Sequence, residues 1–151
     1  MNNLDAEPET DQRGPAGLSR RRARRDAMVI LYQKDISASS VDELFAGLKR
    51  EAGHEPDEFT RQEVAGVLAS QSDLDHVIDA ASQGWPAHRL GALERSILRM
   101  AVYEILDRAD IPAEVSASEA VILAKRFCSQ EAGSLINGIL GKIVREASKN
   151  G

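Results

Sequence analysis

From Ser19 onward, apolar residues recur at three- and four-residue steps, and no stretch alternates as a half-buried strand would. The pattern predicts helices. The first runs from Ser19 to about Ile36, before the Ser-rich turn Ser37–Ser40, and a short second one covers Val41 to Ala52 and stops at Gly53. Pro56 opens a long third helix whose apolar face is Val64, Val67, Leu68, Leu74, Val77, Ile78 and Ala81, running to about Gln83, where Gly84 and Pro86 break it. Leu90 to Asp107 is apolar around most of its circumference, which assigns it to the centre of a bundle and obliges Glu94, Arg95, Arg99 and Glu104 to find an exposed strip or a partner. After Pro112, a helix starting at about Ala113 or Ser116 carries Ala117, Ala120, Val121, Ala124 and Phe127 on one face. The last, from about Glu131 to Ala147, turns Ile136, Ile139, Leu140, Ile143 and Val144 inward. The expected fold is all-α, a compact bundle of six to seven helices with short loops.

Charge changes the picture at the N-terminal end. Residues 1–18 combine Asp5, Glu7, Glu9 and Asp11 with Pro8, Pro15, Gly14 and Gly17 and read as a disordered acidic tail, leaving 19–151 as the folded domain. Arg20, Arg21, Arg22, Arg24 and Arg25 follow within six residues, with Ser19 as the expected N-cap. Cations in a first turn oppose the helix macrodipole, so a chain that keeps five of them there is expected to use them on an external anion. Guanidinium forks in series suit the phosphates of a nucleic acid, and Tyr32 offers a ring to stack on a base. The whole chain carries −5, but residues 1–18 hold −3, residues 19–25 hold +5 and the remainder −7: a basic pole on an acidic body.

The other chemistry is sparse. With 151 residues but only three Phe, two Tyr and one Trp, the core must be aliphatic. Cys128 is the only cysteine, which excludes an internal disulfide and predicts a small packing residue in a reducing cytoplasm. No apolar run reaches the roughly 18 residues of a membrane span. His54, His76 and His88 lack metal-ligand spacing and read as surface residues, so neither metal nor cofactor is expected. Gly133 to Gly138 has phosphate-loop glycine spacing without the lysine or a preceding strand, so its glycines are assigned to close helix packing. Asp73, Asp75 and Asp79 fall on an expected solvated face, and no nucleophile motif is present. The residues point to binding, not catalysis.

RRRARRDAMVILYQKDIS resembles the arginine-rich N-terminus of the NusB family of bacterial transcription antitermination factors. LERSILRMAVYEIL, SASEAVILAKRF and SLINGILGKI are similar to that family's C-terminal core, in order, and FTRQEVAGVLASQSDLDHVI more loosely to its middle helix. The resemblance implies a non-catalytic helical bundle of two small subdomains. It implies binding to boxA-type single-stranded RNA of ribosomal operon leaders together with the ribosomal protein NusE. The pair would join RNA polymerase and other Nus factors to suppress premature termination and to aid ribosomal RNA synthesis. Carried over by position, Arg20, Arg21, Arg22, Arg24, Arg25, Tyr32, Gln130 and Glu131 would be RNA residues, and Glu94 and Arg95 partner residues. Leu135 stands where the family often has Phe, removing a stacking ring that would contribute about 1–3 kcal/mol.

Five arginine contacts on a single strand imply a log–log salt slope of roughly −3.5. Phosphate contacts carry no sequence information, so selectivity would fall to Tyr32, the Gln130–Glu131 turn or the partner. Two other readings fit the residues: a helical protein–protein adaptor, and the NusB-like domain of an RNA cytosine methyltransferase, whose chains continue where this one stops at Gly151. A homodimer that covers its own RNA surface is a further form the family implies.

Overall fold

A computed structural model describes residues 14–85 and 89–150, and among these it contains seven helices and no strand. They are α1 (Gly14–Ile36), α2 (Val41–Ala52), α3 (Glu58–Ala69), α4 (Gln71–Ala81), α5 (Ala92–Asp107), α6 (Ala113–Phe127) and α7 (Gln130–Asn150). The helix boundaries follow local chemistry. Ser40 and Glu43 close a capping box at the start of α2, Ser40 Oγ accepting the Glu43 N–H at 3.1 Å and Glu43 Oε1 accepting the Ser40 N–H at 2.8 Å. Gly53, at φ 80°, ends that helix in a left-handed conformation that other residues rarely adopt. Asp57 caps α3 through the Phe59 N–H, and Ser129 Oγ accepts the Ala132 N–H at the head of α7.

As its apolar circumference predicts, α5 lies at the centre and packs on α1, α3, α4, α6 and α7. Ile97, Leu98, Met100, Ala101 and Val102 are buried in one core that runs from Ala27 and Ile30 on α1 to Ile136, Leu140 and Ile143 on α7. Three of its charges pair. Arg99 makes a two-bond fork with Asp75 at 2.7 and 2.8 Å, Arg95 reaches Asp35 at 2.5 Å, and Glu104 receives a fork from Arg24 at 2.9 Å per bond.

Several expectations are corrected. The single helix expected over 56–83 is two, separated at Ser70 (φ −122°, ψ 17°). The break lets α3 pack on α1 and α5 while α4 turns to α5 and α7. Ser70 is neither Gly nor Pro, so periodicity alone carried no sign of it. Ser19 is inside α1, which begins at Gly14, so the arginines occupy the second and third turns and escape most of the macrodipole penalty, which fades within the first turn. The acidic tail expected over 1–18 lies in its first thirteen residues outside the described ones. Asp75 is not on a solvated face: it is half-buried and holds Arg99.

Glycine placement is resolved at two close approaches. A Cβ on Gly66 would fall 2.1 Å from the Tyr103 ring, so α3 can approach α5 only with glycine there. A Cβ on Gly133 would meet the Lys125 stem at 2.4 Å, as close α6–α7 packing requires, whereas Gly138 faces open space and the packing expected of it is absent. His54 and His76 are exposed, each bonded to a nearby backbone carbonyl, and His88 lies outside the described residues.

Candidate nucleic-acid interface

The five arginines divide by the face of α1 on which each falls. Arg24 is 4% exposed, and Nε and Nη2 both donate to the Glu104 carboxylate. Glu104 Oε1 also accepts the Ser116 hydroxyl at 2.7 Å, which ties α1, α5 and α6 at one interior point. Arg21 makes the same two-bond fork with Glu119 on α6, both bonds 2.9 Å, at the edge of the core. The Ala23 carbonyl accepts the Thr60 hydroxyl from α3 at 2.9 Å. The first half of α1 is therefore clamped from three sides. Arg21 and Arg24 belong to the clamp, and the picture of five equivalent outward cations gives way.

The others face outward. Arg22 and Arg20 are exposed, and Arg25 is about one-third exposed, 3.9 Å from Asp26. Arg22, Arg25, Val29, Tyr32 and Ile36 follow at steps of three and four, so they form one stripe along α1. Arg22 is open, Val29 and Tyr32 half-buried and Ile36 56% exposed. Cations thus occupy one end of the stripe and apolar and aromatic groups the other. Arg20 lies roughly across the helix from it, its guanidinium carbon 4.1 Å from the centre of the Phe59 ring.

The remaining expected residues gather at the far end of the bundle. Arg95 donates to the Leu90 carbonyl at 2.8 Å and to Asp35 near the end of α1. Glu94, half-buried one position earlier, folds over the backbone at Gly91, and its charge acts on Cys128. Burial, with the Glu94 charge, pushes the Cys128 thiol up to about 11, so it packs as a neutral group against the core. Gln130 and Glu131, both exposed, open α7 just beyond. Tyr32, Glu94, Arg95 and the Gln130–Glu131 turn therefore share the end where α1 finishes and α5 begins. Arg20 to Arg25 lie at the other end.

Of the acids that hold this region, Glu104 was expected to need a partner and finds Arg24, whereas Glu119 and Glu63 were not singled out by the sequence. Glu104, Glu119 and Glu63 are 1%, 7% and 0% exposed. Burial works against the Glu104 charge, yet the Arg24 fork holds its carboxyl below the ordinary range. Burial likewise opposes the Arg24 charge, and Glu104 more than offsets it. Glu63 Oε2 accepts a long bond from Arg108 at 3.4 Å, and its carboxyl neighbours that of Glu104. Burial, reinforced by the neighbouring Glu104, pushes the Glu63 carboxyl up to about 10. A signal existed: Glu104 and Glu119 each stand among apolar neighbours at core-facing positions, where an unpaired charge is prohibitive.

Among the described residues no cluster of His, Cys, Asp and Glu could hold a metal, and no helix is long and apolar enough to cross a membrane. The model of the NusB family matches residues 21–145. A transcription antitermination protein NusB of Rubrobacter xylanophilus is 42% identical over 123 residues, 82% of this chain and 88% of that one. Among solved structures, NusB of T. maritima superposes with a TM-score of 0.75 at 30% identity, covering 84% of this chain and 91% of that one. A crystal structure of the antitermination factors NusB and NusE in complex with dsRNA gives 0.76 at 25% identity, covering 85% of this chain and 97% of the other.

Proposed function

The chain belongs to the NusB family, and on that premise we propose that it is a cytoplasmic, non-catalytic transcription antitermination factor that binds boxA-type leader RNA together with NusE. The observation that carries this reading is the outward stripe of α1, with Arg22 and Arg25 at one end and Tyr32 at the other, on a helix fastened by buried ion pairs. Single-stranded RNA can splay its bases, so fixed cations hold the backbone while neighbouring groups read base edges or stack. Arg20, Arg22 and Arg25 are the phosphate contacts in this reading. Arg21 and Arg24 serve by holding α1 in place. Tyr32 and the Gln130–Glu131 turn supply selectivity, and Glu94 and Arg95 border the surface offered to the partner.

The test is fluorescence anisotropy of a labelled boxA-like RNA against a scrambled one, with and without purified NusE. Tighter boxA binding that strengthens with NusE is the expected result. Equal, weak binding to both RNAs under every condition overturns the reading and leaves a helical adaptor.

A further inference from the structure

Phe59 is a buried ring with three guanidinium groups around it. It is the second residue of α3, its N–H held by Asp57 at 2.8 Å, and it packs with Ala23 and Ile111 in a small apolar cluster apart from the main core. The guanidinium carbons of Arg20, Arg108 and Arg24 lie 4.1, 5.1 and 5.3 Å from its centre. Two of the three are engaged elsewhere. Arg24 gives its fork to Glu104, and Arg108 turns to Asp110 at 3.2 Å and Glu63 at 3.4 Å. Arg20 is exposed, and among the described residues no carboxylate lies within ion-pair distance of it.

The carboxylates near the ring engage the other two guanidinium groups or the backbone, Asp57 accepting the Phe59 N–H. Glu104 is ionised and Asp110, beside Arg108, is held below the usual carboxylate range by that hydrogen bond. Glu63, its carboxyl pushed up to about 10, is neutral at pH 7. Arg24 and Arg108 thus each hold a carboxylate, Glu104 and Asp110, whereas Arg20, at the surface, has none within ion-pair distance among the described residues. A guanidinium stacked flat on a ring keeps its N–H donors in its own plane, clear of the ring and available to an outside acceptor.

We infer that Phe59 is a positioning residue for RNA binding: its ring face fixes the Arg20 guanidinium as a phosphate contact across α1 from Arg22 and Arg25. The inference rests on the RNA-binding reading above. It places the Arg20 contact beside the α5–α6 loop, off the α1 stripe, and assigns its geometry to a residue that touches no RNA.

The test is a double-mutant cycle read by anisotropy with boxA-like RNA over a salt series, using Phe59→Leu, Arg20→Ala, the double variant and Phe59→Tyr, with circular dichroism melts alongside. Phe59→Leu keeps an apolar side chain against Ala23 and Ile111 but removes the ring, and is expected to weaken binding about two- to fivefold. The double variant should bind no worse than Arg20→Ala, whose salt slope is expected to flatten by about 0.7. Phe59→Tyr keeps the ring face and should bind as wild type, and the melts separate a loss of affinity in Phe59→Leu from a loss of folded protein. Wild-type affinity in folded Phe59→Leu, or losses that multiply in the double variant, overturns the inference while leaving the RNA reading intact. If Phe59→Leu does not fold, Arg20→Lys decides: wild-type affinity means that charge alone suffices and overturns the inference, whereas a loss equal to that of Arg20→Ala supports it. Absence of RNA binding by the wild-type protein overturns the RNA reading itself.

Discussion

Glu63 and Glu104 are two neighbouring buried carboxyl groups of which only Glu104 receives a two-bond guanidinium fork, and they divide the labour. Glu104 carries the charge because Arg24 and Ser116 donate to it. Glu63 keeps a proton, which gives it a donor towards Glu104. The sign of the pH effect follows. Between the ordinary carboxyl pKa of 4.5 and about 10, the folded protein holds a proton that the unfolded chain has released. Stability is therefore undiminished by this group below 4.5 and falls as pH rises through that window, by at most about 1.4 kcal/mol per pH unit. Glu63→Gln keeps the shape and the donor without the titration. Urea unfolding at pH 8.5 should find it more stable than wild type, with the two converging near pH 4.5. Equal stability at both pH values would show that Glu63 ionises inside the fold at little cost. The neighbouring pair behaves oppositely. Arg24→Ala strands a buried carboxylate and should cost about 3–5 kcal/mol, whereas replacing Arg24 and Glu104 together with Met should recover most of that loss.

At the scale of elements, much of the architecture was legible. The spacing from Leu93 to Leu106 marked the central helix, and Ser40, Gly53 and Pro112 marked boundaries that the structure keeps. What was not legible depended on neighbours distant in sequence. The α3–α4 break at Ser70 is set by the different partners of the two helices, and the pairing of Arg24 with Glu104 joins residues eighty positions apart. Gly66 belongs to the same class, because its need for glycine comes from Tyr103 on α5. Gly66→Ala should destabilise the protein by about 1–3 kcal/mol through forced displacement of that ring, despite the better helix propensity of alanine. Adding Tyr103→Ala should reverse part of the loss, because the second substitution removes the atoms the first one strikes. Thermal melts of the two single variants and the double decide it, and strictly additive losses would mean that α3 and α5 do not meet at this point.

At the scale of the molecule, the arginine run does two kinds of work that a composition count merges. Its +5 charge suggests five phosphate contacts and a salt slope near −3.5. With Arg21 and Arg24 committed to Glu119 and Glu104, three cations are left to meet a backbone, and the slope should fall to roughly −2. The two groups should also separate by substitution. Arg22→Ala and Arg25→Ala should weaken RNA binding, each flattening the slope by about 0.7, with melting temperatures little changed because Arg22 is exposed and Arg25 makes only a 3.9 Å pair with Asp26. Arg21→Ala should lower the melting temperature, and its effect on RNA should follow the loss of folded protein, not the salt slope. Paired measurements of melting and salt-dependent binding on these variants test the division directly. A slope near −3.5 in the wild type, with Arg21 contributing as much to it as Arg22, would mean that RNA draws the clamp residues out of their ion pairs, and the bundle would then have to open where it is now fastened.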